Sequence, residues 1–323
     1  MKKNEKDMSP KYYGGQAVME GVMMKGSEMY AMAVRKPDGE IALIEKALKK
    51  KTEEFSLVKL PVIRGVAAFI DSMVTGVKTL TQSAEIATEG IEEEEEPGRI
   101  ERFLREKLGD KLNDVLIQFS VVVAVVIAVG LFMLLPTWVG SLFSPLTGGN
   151  TRLTGVIEGV LRVGIFVGYV SLMSLSKDVK RMFAYHGAEH KTINCFESGD
   201  ALTAENVAKH SRLHKRCGTS FLLVVMLISM LVFMFVTTET IWLRFATRIL
   251  LLPVIAGLAY EVSVKWAGRH DNWLVRAVIF PGMCLQRITT GEPDAGQIEV
   301  AITALNKVLE KEKQQKVDDE PNR

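Results

Sequence analysis

Residues 117–135 read Ile117-Gln118-Phe119-Ser120-Val121-Val122-Val123-Ala124-Val125-Val126-Ile127-Ala128-Val129-Gly130-Leu131-Phe132-Met133-Leu134-Leu135, with no charged side chain. As a helix this run would be about 28 Å long, close to the hydrocarbon thickness of a bilayer. A second uncharged run, Phe221–Val236, reaches the same length once Thr219, Ser220 and Thr237 are added. Two weaker spans follow from Leu153–Leu175 and Ile241–Val264. They carry Glu158 and Arg162, spaced to pair on one helical face, and Arg244 and Arg248, placed to snorkel towards an interface. Charge inside a span is otherwise a pointer to an ion path or a polar binding groove.

Orientation follows from the loops. Residues 177–218 contain eight Lys and Arg, whereas Pro136–Arg152 holds one and Thr237–Thr240 none. The positive-inside rule then makes the long segment cytoplasmic and puts both termini on the same side. Asn272–Leu285, interrupted by Pro281-Gly282, is too short to cross and reads as an interfacial or re-entrant helix.

The whole composition agrees with segregation of apolar and polar blocks. Of 323 residues 24% are charged and 48% hydrophobic, yet mean hydropathy is +0.15. Net charge is only +2, from 40 Lys and Arg against 38 Asp and Glu, so there is no global field for nucleic acid. Three cysteines without a CxxC exclude a disulfide scaffold, and polar Met1–Pro10 is no signal peptide, which excludes a soluble secreted protein.

Outside the spans, Lys36-Pro37-Asp38-Gly39-Glu40 is a turn between strands Met29–Arg35 and Glu40–Glu45. The glycine-punctuated run Gly14–Gly26 reads as a strand with close backbone contacts, and only weakly as a phosphate cradle. Leu57–Leu80 has apolar residues at helical spacing, opened by Pro61, and suits a membrane interface or the side of a bundle. Glu92–Glu96 is a solvated linker and Arg99–Lys111 a basic approach to the first span. Asp294 and Gln297 would cap a last helix with the stripe Ile298, Ala301, Leu305 and Val308; from Glu310 the tail is expected to be disordered.

The expected fold is an α-helical multi-pass membrane protein with four transmembrane helices, a small N-terminal β-rich cytosolic unit and amphipathic interfacial helices. Its parts are a β-rich unit over 1–54, an amphipathic helix and acidic linker over 55–116, a four-span bundle over 117–264 containing the His-rich segment 177–218, and an interfacial segment with a C-terminal cytosolic helix over 265–323.

The chemistry concentrates in Tyr185-His186-Gly187-Ala188-Glu189-His190-Lys191. In a helix His186 and His190 lie one turn apart, which suits two imidazoles on one metal, and Glu189 is placed to be the general base on a bound water. His210-Ser211-Arg212-Leu213-His214 repeats the spacing, with Cys217 three residues on. Two such pairs among five histidines favour a metal site over a hydrogen-bonded polar cluster or two unrelated faces. The candidate ligands are His186, His190, His210, His214 and Cys217, and Glu189 is the candidate catalytic residue. An imidazole-rich set favours zinc among divalent cations; three ligands and water would make a catalytic site, four a structural clip.

Gly14–Gly26, His186–Lys191, His214 with Arg216-Cys217-Gly218-Thr219-Ser220-Phe221, and Leu285–Asp294 together resemble the family of bacterial integral membrane proteins typified by YqhQ of Bacillus, over nearly the whole chain. The resemblance implies a metal-dependent plasma-membrane protein and brings no substrate or catalytic residue with it. In Leu285–Asp294, Thr289, Thr290 and Asp294 read as caps of the terminal helix, or, with Arg287, as binders of an anionic headgroup. Two functions compete. One is a metal-dependent hydrolase at the cytoplasmic face. The other is a non-enzymatic assembly factor or scaffold for membrane-protein partners, such as those of the insertion machinery, in which the cluster is a structural clip. A small-solute transporter is a third, weaker reading.

Overall fold

The computed structural model of the chain describes residues 13–48, 60–90, 112–236, 240–267, 270 and 272–318. The acidic linker Glu92–Glu96 and the basic stretch Arg99–Lys111 fall outside them. Four strands come first: β1 (Gly14–Val18), β2 (Gly21–Lys25), β3 (Met29–Arg35) and β4 (Ile41–Ala47). Helix α1 (Ile63–Ala87) follows. Then α2 (Leu112–Val129) runs through a π-helical turn, Gly130–Leu134, into α3 (Leu135–Leu142). The remaining helices are α4 (Thr151–Met173), α5 (Lys177–Ser198), α6 (Ala204–Lys209), α7 (Gly218–Phe235), α8 (Ile241–Tyr260, with a π-helical end Glu261–Trp266), α9 (Trp273–Thr289) and α10 (Ala295–Asp318). Four helical stretches are long and apolar enough to cross a membrane: Gln118–Leu142, Thr151–Met173, Gly218–Phe235 and Trp242–Trp266. They match the four spans read from the sequence.

The chain divides into two compact units. The first comprises Met1–Glu89, Tyr169–Ile228 and Pro253–Arg323. Its sheet is an antiparallel meander in the order β1-β2-β3-β4. Lys36–Glu40 makes the expected turn, with Gly39 at φ +91°, a conformation that costs glycine little. The Gly14–Gly26 run is a hairpin of two strands, turning at Met19-Glu20.

Both faces of the sheet are covered. Val22, Met24, Met29, Ala31 and Ala33 pack with Tyr185, Ala188 and Ile193 of α5 and with Val300, Ala301, Ala304, Leu305 and Val308 of α10. Met23, Tyr30, Met32 and Val34 point the other way, against Ile86 and Ala87 of α1. Alternate side chains of a strand leave on opposite faces, so a strand buried on both must be apolar throughout, as β3 is.

Asp294 and Gln297 close the expected capping box, each side chain accepting the other's backbone N–H at 2.8 and 3.0 Å. The helix does not stop at Glu310. It continues to Asp318, because Glu312 is buried there and accepts from Tyr13 Oη, Ser27 N and Ser27 Oγ, each at 2.8 Å. Helix α1 takes in Ile63–Leu80 of the expected amphipathic stretch. Its buried positions are Gly65, Thr79 and Ser83, while Ile70, Met73, Val74 and Val77 are exposed. It is held to the sheet by polar bonds, Gln16 Nε2 to Thr79 Oγ1 at 2.8 Å and Met19 N to Ser83 Oγ at 3.0 Å, which leaves its apolar stripe outward.

The second unit comprises Gly90–Gly168 and Ser229–Leu252. Here the expected Glu158–Arg162 pair is replaced. Buried Glu158 pairs with Arg248 and, at 3.3 Å, with Arg244. Arg248 therefore does not snorkel; it is 3% exposed and also donates to Thr137. Arg162 donates Nε to the Phe132 carbonyl at 2.9 Å, within the π-helical turn, where the shifted ladder leaves a carbonyl to accept. Both Arg162 and Arg248 lie 5.2 Å over the Phe233 ring.

Candidate metal centre

The site belongs wholly to the first unit. Helix α5 carries Tyr185–Lys191 as one nearly buried stretch, so His186 and His190 stack one turn apart with ring centroids separated by 4.4 Å. Each ring is oriented by a backbone carbonyl. His186 Nδ1 lies 2.8 Å from Thr289 O and His190 Nδ1 2.6 Å from Arg212 O. A carbonyl only accepts, so both Nδ1 atoms carry hydrogen and both Nε2 lone pairs are free to bind. The two Nε2 atoms converge on Glu189, at 3.8 and 3.7 Å from its Oε2.

Cys217, just before α7, brings its Sγ to 3.3 Å from His186 Nε2. One donor atom from each of His186, His190 and Cys217 lies within 4.8 Å of the others, a grouping able to hold a metal ion. Tetrahedral zinc, with bonds of about 2.0–2.3 Å, needs donors about 3.5 Å apart, so small side-chain rotations would close the set. Thr219 donates its N–H to the sulfur at 3.4 Å, which suits a ligand carrying negative charge, and its hydroxyl oxygen lies 3.0 Å from the same atom.

The other two predicted histidines have different settings. The His214 ring is 5.7 Å from that of His190, with Nε2 at 3.4 Å from Glu197 Oε2. His210 faces away into a separate polar group, its Nε2 2.9 Å from Asp200 Oδ2 and 3.5 Å from Ser198 Oγ. Burial raises the Glu197 carboxyl, but the His214 bond and the Arg216 charge more than offset it, holding it below the usual range.

Glu189 is 4% exposed. Burial pushes its carboxyl up, against the pull of His186, His214 and the Gly15 N–H that donates to it. A raised carboxylate beside two imidazoles suits a proton acceptor near neutral pH. Gly15 has to be small: a Cβ there would sit 2.5 Å from Met23 O and 3.0 Å from Glu189 Cγ. This is the close backbone approach that the glycine-rich run implied.

The Leu285–Asp294 stretch turns out to be the mount for the site. The Thr289 and Thr290 hydroxyls bond back to their own helix, while their carbonyls hold His186 and Arg212. Gly291 N donates to Phe183 O at 2.7 Å, and Gln286 clasps the His214 backbone on both sides, accepting from N at 2.9 Å and donating to O at 2.8 Å. Glu292 pairs with Lys191 at 2.9 Å. Reading the motif as a cap found Asp294 and missed Gln286, Thr289 and Gly291; Thr289 and Gly291 act through backbone groups, which leave no mark in side-chain type.

Beside the cluster opens a cavity of about 650 Å³. His186, Glu189, His190, His214 and Cys217 form its polar end; most of the rest of its wall is apolar, including Phe69, Met73, Phe221, Val224 and Ile279.

These features define a helical protein with four membrane-length apolar helices, a four-stranded sheet and a buried His/Cys/Glu cluster. The chain belongs to the family described as a protein of unknown function, DUF1385, which matches residues 60–311. It is 35% identical over 302 residues to the uncharacterized protein YqhQ of Bacillus subtilis, with 93% of each chain covered. No solved structure matches it.

Proposed function

We propose that this chain is an integral membrane protein of the cell membrane, crossing four times with both termini in the cytoplasm, whose His186, His190 and Cys217 hold a divalent cation, zinc by ligand type. The membrane placement is supported by the outward side chains of the four helices: Val126 is 64% exposed and Leu250 77%, a cost in water that hydrocarbon removes. The activity proposed is hydrolysis at the cytoplasmic face.

One observation carries the metal reading: two imidazoles whose tautomers are set by backbone carbonyls aim their Nε2 atoms, together with a thiol, at one point beside a buried carboxylate. A bound Zn²⁺ would supply Lewis acidity and lower the pKa of its water to about 7. With that cation held by His186, His190 and Cys217, Glu189 would accept a proton from the attacking water at its carboxylate and return it to the leaving group. The Gly15 N–H holds that carboxylate in place, and the apolar cavity wall keeps bulk water from the cluster. His214 would have to turn its Nε2 away from Glu197 to become a fourth ligand. If it binds, the site closes into a structural clip and the assembly-factor reading gains.

The test is metal analysis of full-length protein purified without chelator, beside a His186→Ala/His190→Ala variant. About one equivalent in the wild type and none in the variant is expected. Glu189→Gln should keep the metal and lose turnover. Wild-type protein without stoichiometric metal refutes the proposal.

A further inference from the structure

The cavity contains more than the proposed chemistry needs, and its position says what fills it. Cys217 stands at the start of membrane-length helix α7, and Phe221 and Val224 line the same cavity one and two turns further along. Seven residues at 1.5 Å put Val224 about 10 Å deeper than the cluster along the span. The opposite wall is α1, which contributes Phe69 and Met73 and presents Ile70, Val74 and Val77 outward beside them. So the space is polar where the helix begins and apolar where it enters hydrocarbon. Its volume falls within the range of about 300–1,000 Å³ typical of small-molecule sites. Lys215 and Arg216 line the polar end beside the histidines, Arg216 there paired with Glu197.

We infer that the cavity binds an amphiphile with an anionic head, phosphate or carboxylate, and an apolar chain. The head sits at the Lys215–Cys217 end and the chain lies along Phe221 and Val224 between α7 and α1. This deepens the proposed function, on whose membrane placement it rests, by naming the substrate class: a membrane lipid rather than a water-soluble metabolite. Charge at the mouth selects the head, and the apolar walls exclude polar substrates that would lose hydration without new partners.

The experiment uses the full chain reconstituted in zwitterionic nanodiscs, its four native tryptophans replaced by phenylalanine, with tryptophan introduced at Phe221→Trp or, as the lipid-facing control, Phe119→Trp. Brominated dodecyl phosphate, dodecanoate and dodecyl maltoside serve as quenchers. Both anionic probes, or either one, should quench the Phe221→Trp fluorescence saturably, about tenfold tighter than the neutral maltoside, a difference of about 1.4 kcal/mol. Quenching of the control should rise without saturating. Ala68→Phe, which fills the cavity from α1 without adding a fluorophore that reads in this assay, should abolish saturation in the Phe221→Trp protein, folded as judged by circular dichroism. Which anionic probe saturates assigns phosphate or carboxylate as the head.

No saturation at position 221, or saturation by the maltoside alone, overturns the inference. Because quenching is read without turnover, stoichiometric metal with no saturable quenching would sink the lipid site alone. Saturable quenching in a protein that binds no metal would sink the hydrolase alone.

Discussion

Substituting Gly187 by alanine separates local from tertiary control. Gly187 lies inside α5 between the two site-bearing turns, where intrinsic propensity favours alanine over glycine by about 1 kcal/mol. The tertiary structure points the other way. A Cβ at Gly187 would fall 1.9 Å from the Gly291 carbonyl oxygen and 3.1 Å from its carbon. Even close C–H···O contacts keep about 3.3 Å, so the loop would have to retreat by about 1.4 Å. That retreat stretches the 2.7 Å bond from Gly291 N to Phe183 O and disturbs the 2.8 Å bond between His186 and Thr289. Overpacking costs about 1–3 kcal/mol and each hydrogen bond about 0.5–1.5 kcal/mol. With two bonds affected and the propensity gain subtracted, a net loss of about 1–5 kcal/mol remains, or roughly 2–20 °C in Tm at about 2–4 °C per kcal/mol. Metal affinity should fall by about 10–100-fold, as it does when a ligand's supporting partner is lost. Thermal unfolding of detergent-purified protein and competition with a chromogenic chelator measure the two effects. A Gly187→Ala protein as stable as wild type, or more so, with unchanged metal affinity would refute the view that α5 and the Leu285–Asp294 stretch are locked together to orient His186.

Glu158→Gln should destabilise the second unit by about 3–5 kcal/mol, since it strips the carboxylate from buried Arg248 and Arg244. Adding Arg248→Met should recover part of the loss, because an apolar replacement removes the stranded charge; both are read from unfolding midpoints, and a wild-type midpoint in the single variant contradicts the pairing. Glu312→Gln weakens the acceptor shared by Tyr13 and Ser27. Hydrogen exchange over residues 14–27 should quicken, with a loss of about 1.5–3 kcal/mol locally. Unchanged protection there would show that the C-terminal turn of α10 does not hold the sheet.

Much of this architecture is legible one residue at a time. Apolar length picks out the four membrane-length helices, two of them uninterrupted by charge, because helix rise and bilayer thickness leave little choice. Pro37 and Gly39 announce their hairpin through fixed and permissive φ. The one-turn spacing of His186 and His190 foretells a shared face, since a helix puts i and i+4 together whatever surrounds it. These are local consequences of chain geometry.

The partnerships are another matter. Glu158 was expected to pair with Arg162 within its own helix, yet its partners come from α8, some ninety residues on. His210 and His214 have the same spacing as the first pair, but the backbone turns at residues 210–217 send His210 to Asp200 and bring Cys217 to His186. Gly15 supports Glu189 only because sheet and helix pack together. Such contacts depend on long-range packing, in which side chains distant in sequence compete for a few buried partners. The sequence by itself therefore determined which segments are apolar helices and which side chains could bind a cation; the tertiary structure alone decided which of them meet, because burial rewards whichever donor and acceptor the packed backbone brings within reach.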